Sequence, residues 1–462
     1  MKAFKRNAGS LLIAGLATIS PARAEEAVSL EPLDVWGTEI KSSSVYMGED
    51  TMAIKQADHV SDLLRSIPGV DVGGAHSLNQ RITIRSMDDK DLRITIDGAN
   101  QNTYMYHHMG NLQIHADILQ SVDIDIGTNS VINGGLGGAV RFETKDALQL
   151  LRPGEQYGGR VQASYADNAS QGFSLTGYGQ VTDNFDFLAY YNAVERDNYE
   201  VGGGEIKDEN GDVIENTDGT VRGLKGEVDD ALLKFGWNLA ENQRIELAYE
   251  DYNDEGDYSY RPDMGLATDL AIADFFGLPL TYPTEFTRDT LTMNYELDWG
   301  HANSLKATLF NNLSTLTRDE SALSSGIIKG EATNSGVNIL ATSELGGGFA
   351  QTLTYGLEAI RYDTLYQGDL GRSEEDATNQ AVYIQDRIQL SSSMAVIPGV
   401  RYNLYDLDSA VVDDTFDETT AALAVEYQAS SKLLLSASST QLFKGPEIGE
   451  VFFGAGIDDT AN

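Results

Sequence analysis

The sequence predicts a small mixed α/β domain followed by a large antiparallel transmembrane β-barrel. Apolar and polar residues alternate one by one from about residue 158 onwards, so that Leu291 and Met293 share one face while Thr292 and Asn294 share the other. This alternation suits strands with lipid on one side and water on the other. The connections come in two sizes, tight turns and long acidic loops, which is the asymmetry of an outer-membrane barrel. Residues 51–150 follow a different pattern, which indicates a separate domain.

The N-terminus has the features of a secretory signal peptide. Basic residues precede a short apolar stretch, Leu11–Ile19, and small residues surround the expected cleavage site after Ala24. A short buried helix is the alternative interpretation. No run approaches the roughly 18 apolar residues that a membrane-spanning helix needs. We therefore expect residues 1–24 to be removed and residues 25–50 to form a flexible tail.

Composition excludes several classes of function. The 462 residues carry a formal net charge of −39, which disfavours nucleic acid as a partner because its phosphates would be repelled. The chain has no cysteine, which excludes a disulfide framework and a thiolate metal site. Because charges are costly at a lipid-facing position, the acidic groups are expected on loops and in the barrel interior.

The first domain is predicted to begin with a helix over residues 54–64 that places Ala57, Val60, Leu63 and Leu64 on one apolar face. A second helix is predicted around residues 115–120. The glycine-rich run 133–138 is followed neither by a helix nor by Lys-Ser or Lys-Thr, so it indicates tight turns rather than a phosphate cradle. The strands predicted in this domain lie at residues 69–72, 81–85, 92–96, 122–126 and 139–144.

The second domain is predicted to contain about thirteen strands. Tight turns are expected at residues 182–184, 240–242 and 391–393, and long loops at 198–229 and 255–284. The strands are placed near residues 160–165, 173–181, 184–197, 230–240, 242–254, 285–299, 303–318, 333–345, 351–364, 379–391, 393–407, 417–429 and 431–442.

Several segments resemble the TonB-dependent outer-membrane receptors. Residues 60–70, VSDLLRSIPGV, are similar to the plug helix and turn of that family. Residues 82–85 and 94–98 are similar to its central plug strands, and residues 136–142, LGGAVRF, to its last plug strand. Together with the barrel they cover most of the chain. The resemblance implies a receptor in the outer membrane of a Gram-negative bacterium, with lipid around it.

The implied domain order is a signal peptide at 1–24, a tail at 25–50, a plug at 51–150 and a barrel at 155–462. The tail contains a segment at 33–38 that looks like a TonB box, which would be captured as an added strand by the periplasmic C-terminal domain of TonB. An ordinary first plug strand is the alternative. The residues expected to contact TonB are Leu33, Asp34, Val35, Trp36 and Gly37.

Two features depart from the family pattern. After the predicted plug strand, residues 126–128 read Ile126-Gly127-Thr128 where the family has Arg-Gly-Pro. Plugged outer-membrane transporters of this kind have about 22 strands, and about thirteen are visible here. Because an open sheet would leave unpaired edges in lipid, we expect the sequence to be a fragment of a longer barrel.

The resemblance also implies a cargo. Some haem receptors of the family use a plug histidine near the apex as an axial haem ligand, and His108 or His107, with Tyr106 beside them, occupies the matching loop. An aromatic loop suits a flat macrocycle, and a neutral imidazole suits iron. Residues 443–451 look like the Phe-Arg-Ala-Pro box of the same receptors, although no histidine follows them. Haem is thus expected as a transported ligand, with no intrinsic cofactor and no resident metal site.

Other interpretations remain open. A ferric siderophore is one alternative cargo, and Met105 and Met109 in the same loop would also suit copper. A passive channel is an alternative of another class, but it needs no N-terminal plug. A barrel enzyme would need a nucleophile and a base, and His301 has no Gly-x-Ser-x-Gly partner, so no catalytic residues are assigned.

Overall fold

The structure is a computed structural model of the 462-residue chain. None of the helices among the described residues has the length and apolarity that a membrane-spanning helix needs. The signal peptide and the TonB-box-like segment lie outside the described residues. The structure describes residues 44–448 except 49–51, 53, 56, 58, 75, 106–108, 127–129, 135, 167–169, 209, 215–216, 260–269, 271–272, 301–302, 324–325, 370, 410–411 and 447.

The first domain is a small sheet with short helices. Its main sheet has the strand order β1-β6-β7-β4-β5, and β2 pairs with β3 in a separate two-stranded sheet. One short α-helix precedes the strands β2–β7 and another follows them, at Val60–Leu64 and Ala147–Leu150. The strands are β1 (Ser44–Gly48), β2 (Val70–Gly73), β3 (Arg81–Ile84), β4 (Arg93–Ile96), β5 (Ala99–Asn100), β6 (Leu119–Ile126) and β7 (Gly138–Thr144).

Three expectations for this domain need correction. The helix predicted around residues 115–120 is a single 3₁₀ turn, Ala116–Ile118, because the side chain of His115 caps it and the apolar strand β6 begins at Leu119. Residues 25–50 were assigned to a flexible tail, but β1 within that stretch pairs antiparallel with β6, so the sheet begins before residue 51. The helix predicted over residues 54–64 is not continuous, because residues 57 and 59 are not helical and a separate short helix spans Val60–Leu64; Val60, Leu63 and Leu64 are buried as predicted, whereas Ala57 is only partly buried.

The turns of the domain follow from residues that accept positive φ. Asp97 and Gly98 both have positive φ, 47° and 85°, and connect β4 to β5 as a hairpin turn. In the glycine run, a side chain at Gly137 would come within 2.5 Å of Leu92, which agrees with close packing of the backbone.

The second domain is one antiparallel sheet of 13 strands, the number predicted. Neighbouring strands follow one another in the sheet, with β8 and β22 at the two ends of the order. The short strands β11 (Tyr199–Glu200) and β12 (Thr220–Val221) form a separate hairpin in the loop after β10. The 13 strands are β8 (Tyr157–Ala166), β9 (Ser170–Thr182), β10 (Phe185–Arg196), β13 (Leu224–Ala240), β14 (Gln243–Ser259), β15 (Thr281–Gly300), β16 (Asn303–Glu320), β17 (Gly326–Leu345), β18 (Ala350–Gly368), β19 (Gly371–Ser391), β20 (Met394–Asp408), β21 (Asp413–Ser430) and β22 (Leu433–Thr440).

The predicted alternation of faces is confirmed. On β15, Leu291 and Met293 are exposed, while Thr292 and Asn294 are buried. The predicted tight turns after β9, β13 and β19 are also present. The opposite ends of the strands extend further than predicted, so that β14 continues to Ser259 and β15 begins at Thr281. We attribute the difference to the lack of lipid at that end, where polar residues on both faces hide the alternation.

The first domain, which we call the plug, packs against the inner face of the 13-stranded sheet, which we call the wall. One apolar cluster combines its core residues, such as Ile94 and Val140, with wall residues Leu188, Leu232 and Ala248. Burial of apolar surface on both sides therefore holds the domain in place.

Candidate ligand site at the apex of the plug

The candidate ligand loop is anchored at both ends by buried methionines. The predicted ligand residues Tyr106, His107 and His108 lie outside the described residues, but Met105 and Met109 on either side are 0% and 1% exposed. The backbone N–H of Met109 donates to the carbonyl of Met105 at 2.9 Å, which joins the two described ends of the loop.

The segment 76–80 is joined by hydrogen bonds to residues that follow this loop in the chain. The N–H of Gly110 donates to the carbonyl of Leu78 at 2.9 Å, and the side chain of Gln113 donates to the same oxygen. The position of Gly110 is set by close approach, because a Cβ there would lie 1.9 Å from the carbonyl oxygen of Gln80.

Aromatic side chains of the barrel wall surround Met105 and Met109 at the two ends of the loop. Met105, Met109 and Leu78 share one apolar cluster with wall residues near the long-loop end of the strands. The rings of Tyr252 and Phe286 meet edge to face with centroids 6.1 Å apart, and those of Tyr104 and Tyr362 at 5.7 Å. The wall residues of this cluster are Val194, Val228, Tyr252, Tyr258, Phe286, Leu316, Ile328, Ala332 and Tyr366. We call this cluster the apex cluster.

A second histidine, His76, belongs to the same region and was not singled out from the sequence. Its ring is 3% exposed and stacks on Tyr258 with centroids 4.5 Å apart. Burial, with the nearby His59 and Arg318, lowers the pKa of His76 to about 3, so the imidazole is neutral at physiological pH. Nothing in the sequence around His76 distinguishes it, because its partner lies on a strand 182 positions later along the chain.

Two further candidates from the sequence are His115 and the segment 443–451, of which the structure describes only a part. His115 caps the 3₁₀ turn, its Nδ1 accepting from the N–H of Asp117 at 3.2 Å. In the segment that looks like the Phe-Arg-Ala-Pro box, Lys444 lies 2.6 Å from the carboxylate of Asp91 in the plug. Residues 447 and 449–451 of that segment lie outside the described residues.

An ion-pair triad joins the domain to the wall on one side. Arg93 of β4 and Arg401 of β20 both pair with the buried carboxylate of Glu358 on β18. Arg401 also donates to the carbonyls of Val131 and Ile132 at 3.3 and 3.2 Å. We call Arg93, Glu358 and Arg401 the triad. Because Glu358 and Arg401 are buried, these charge-assisted bonds hold the plug to the wall.

A second group of ion pairs lies nearer the short turns. Lys234 on β13 is 3.1 Å from Asp97 in the plug and 3.3 Å from Glu246. Burial by itself would raise the pKa of Asp97, but Lys234 and two hydrogen bonds from Thr144 outweigh it and hold that pKa below its usual value. The carboxylate therefore stays ionised and ties the hairpin turn at residue 97 to the wall.

The close contact at Gly110 leads to a prediction. The Gly110→Ala substitution should destabilise the plug by about 1–3 kcal/mol, because the methyl group would push the apex loop away from Gln80. Thermal unfolding of the receptor in detergent measures this loss. Gly177→Ala on β9, where a Cβ would meet nothing within 4 Å, is the matched control and should unfold like the wild type. Equal melting temperatures for both variants would contradict the close packing of the apex loop.

Known proteins resemble the chain over both domains. The family model for the TonB-dependent receptor plug domain matches residues 38–139, and the model for the TonB-dependent receptor-like β-barrel matches residues 236–462. The heme transporter BhuA of Brucella ovis is 25% identical over 92% of this chain and 64% of its own length. The chain thus spans about two thirds or less of the curated relatives that it matches.

Solved structures show the same fold. The FrpB iron transporter from Neisseria meningitidis has a TM-score of 0.75 at 20% identity, over 89% of this chain and 65% of that chain. The ferric enterobactin receptor of Pseudomonas aeruginosa has a TM-score of 0.66 at 17% identity, over 89% and 63%. With both domains matched in order, the chain belongs to the TonB-dependent receptors, a family of Gram-negative outer-membrane transport receptors and not of enzymes.

Proposed function

We propose that the chain is part of a receptor for TonB-energised uptake of an iron source, and that this source is haem or a haem protein. The observation that carries the proposal is the apex cluster, which surrounds the ends of the histidine-bearing loop with buried methionine and aromatic side chains. A flat, largely apolar macrocycle gains free energy from such surroundings, and an imidazole can bind its iron.

The sequence relatives support the same cargo. The relatives named as heme transporters match 92% of the chain. We propose that His108, or its neighbour His107, supplies the axial ligand and that Tyr106 packs against the macrocycle. Haem would then be a transported ligand rather than a resident cofactor.

The energy for transport would come from the periplasmic protein TonB. We propose that the segment Leu33–Gly37 is captured as an added strand by the C-terminal domain of TonB, and that force on it moves the plug. The segment lies outside the described residues. Strand β1, which follows it in the chain, belongs to the plug sheet, so a pull on the segment would reach that sheet directly.

The other cargoes that the sequence allows fit the apex less well. Met105 and Met109 are almost completely buried within the apex cluster, so their thioethers are not free to bind copper in this conformation. A passive channel is disfavoured because the plug packs into the same apolar core as the wall. A ferric siderophore remains the alternative that the experiment below must separate from haem.

A haem titration of the purified full-length receptor tests the proposal. Wild-type protein should shift the Soret band of haem, and His107→Ala combined with His108→Ala should remove the shift, because the iron loses its imidazole ligand. His115→Gln is the matched control, since that side chain caps a turn, and it should bind as wild type does. A wild-type receptor that leaves the Soret band unchanged would refute haem as the cargo.

A further inference from the structure

Strands β9 to β15 of the wall carry buried polar groups without partners. Asn192 on β10 and Asp230 on β13 stand directly opposite one another and are 2% and 1% exposed. Among the described residues, neither oxygen of the Asp230 carboxylate accepts a hydrogen bond, and Nδ2 of Asn192 donates none. A buried polar group without a partner costs about 1–3 kcal/mol, so this arrangement needs an explanation.

Buried polar groups without partners also occur on the neighbouring strands, both in the row of Asn192 and Asp230 and in two further rows of the sheet. Asp230 is paired in register with Tyr252, and Tyr252 with Arg288, whose Nε also has no partner. The rows nearer the short turns contain the unpartnered Oε2 of Glu250 and Oγ1 of Thr292. All these side chains are buried and point to the inside of the sheet, towards the plug.

The plug side of this region is polar as well. The carboxylate of Asp117 accepts from Ser174 on β9 at 2.6 Å and pairs with Arg160 on β8 at 2.5 Å. The carbonyl of Gln113 accepts from Arg288. Both surfaces of this part of the interface are therefore lined with hydrogen-bonding groups.

The buried polar groups on strands β18 to β21 of the wall differ, because they have partners within the protein. On strands β18 to β21, within the described residues, no buried inward-facing polar side chain has an unpartnered atom. Glu358 and Arg401 belong to the triad, and Gln385 accepts from Ser130 of the plug at 2.9 Å. This side of the interface is satisfied by protein alone.

We propose that the plug residues 113–117 and strands β9, β10, β13, β14 and β15 enclose a water-filled seam, and that cargo crosses the membrane on this side when the plug yields. Water satisfies the unpaired donors and acceptors, as it does for most buried polar groups that lack a protein partner. A hydrated contact also separates at low cost, because water replaces each bond that breaks. The second half of the proposal rests on the proposed transport function.

The absence of cysteine from the chain makes a direct test possible. Asp230→Cys and Asn192→Cys place single thiols in the seam of the full-length receptor, and Ala381→Cys places a control thiol on β19. Ala381 is 4% exposed and lies as far from the short-turn end of its strand as Asp230 does. Intact cells are treated with a small cationic methanethiosulfonate reagent, with and without active TonB, and the receptor is weighed by mass spectrometry.

The seam thiols should be fully modified and should react faster when TonB is active, while the Ala381→Cys thiol should stay unmodified until the protein is denatured. Heat-modifiable migration on gels shows whether each variant is folded. Two seam variants are used so that the test still stands if one of them does not fold. Seam thiols as unreactive as the control would overturn the water-filled seam. Seam thiols that react at the same rate with and without active TonB would overturn the proposed route of the cargo. The labelling experiment does not use haem, so its failure can be distinguished from a failure of the haem proposal in the titration.

Discussion

The Glu358→Gln substitution is expected to lower the free energy of unfolding by about 3–5 kcal/mol, because it leaves Arg93 and Arg401 buried without their carboxylate. Glutamine keeps the size of the side chain, so the loss reports charge rather than a cavity. Thermal or urea unfolding of the full-length receptor in detergent measures the effect.

Two further variants separate the triad from a general effect of removing charge. Glu374→Gln breaks an ion pair with Arg372 in which both side chains are more than half exposed, and it should leave stability unchanged. Arg93→Met added to Glu358→Gln should recover part of the loss, since one of the two stranded charges is gone. Wild-type stability of Glu358→Gln alone would show that the triad does not hold the plug.

Deletion of residues 33–37 from the full-length receptor is expected to abolish energised uptake while leaving ligand binding at the surface intact. The deleted segment is the one proposed to pair with TonB, and it precedes β1, which belongs to the plug sheet, in the chain. Growth of a haem-requiring strain on haem measures uptake, and the haem titration measures binding.

A control for the deletion keeps the length of the tail. Replacing residues 33–37 by five alternating glycines and serines should abolish uptake equally, because a flexible linker offers no apolar strand to capture. Uptake at the wild-type rate in either variant would contradict the role of this segment. Loss of binding together with uptake would instead indicate damage to the plug.

Much of the fold could be predicted because the membrane imposes a simple rule on the sequence. A residue such as Leu291 must face lipid while Thr292 faces the wet interior, and this rule locates all 13 strands of the large sheet. The rule ends where the lipid ends, so the strand extensions at Leu224 and Thr281 were missed. The helix predicted around residue 115 failed for another reason, since a capped turn and an amphipathic helix begin with similar residues.

The site could be predicted only in part because its partners are distant in the chain. The histidines at 107 and 108 are predicted from their position in a loop and stay a prediction, whereas the triad joins Arg93 to a glutamate 265 positions later. His76 and its stacking partner Tyr258 are separated in the same way. No local pattern encodes such pairs, because only the packing of the plug against the sheet brings them together.

Two of the three members of the triad, Glu358 and Arg401, stand on neighbouring parts of the same wall. If the plug moves away, Arg93 departs alone and the wall keeps a neutral pair rather than a bare carboxylate. On the proposed transport function, the returning plug then meets a surface of the wall whose charges are already balanced, which favours its return.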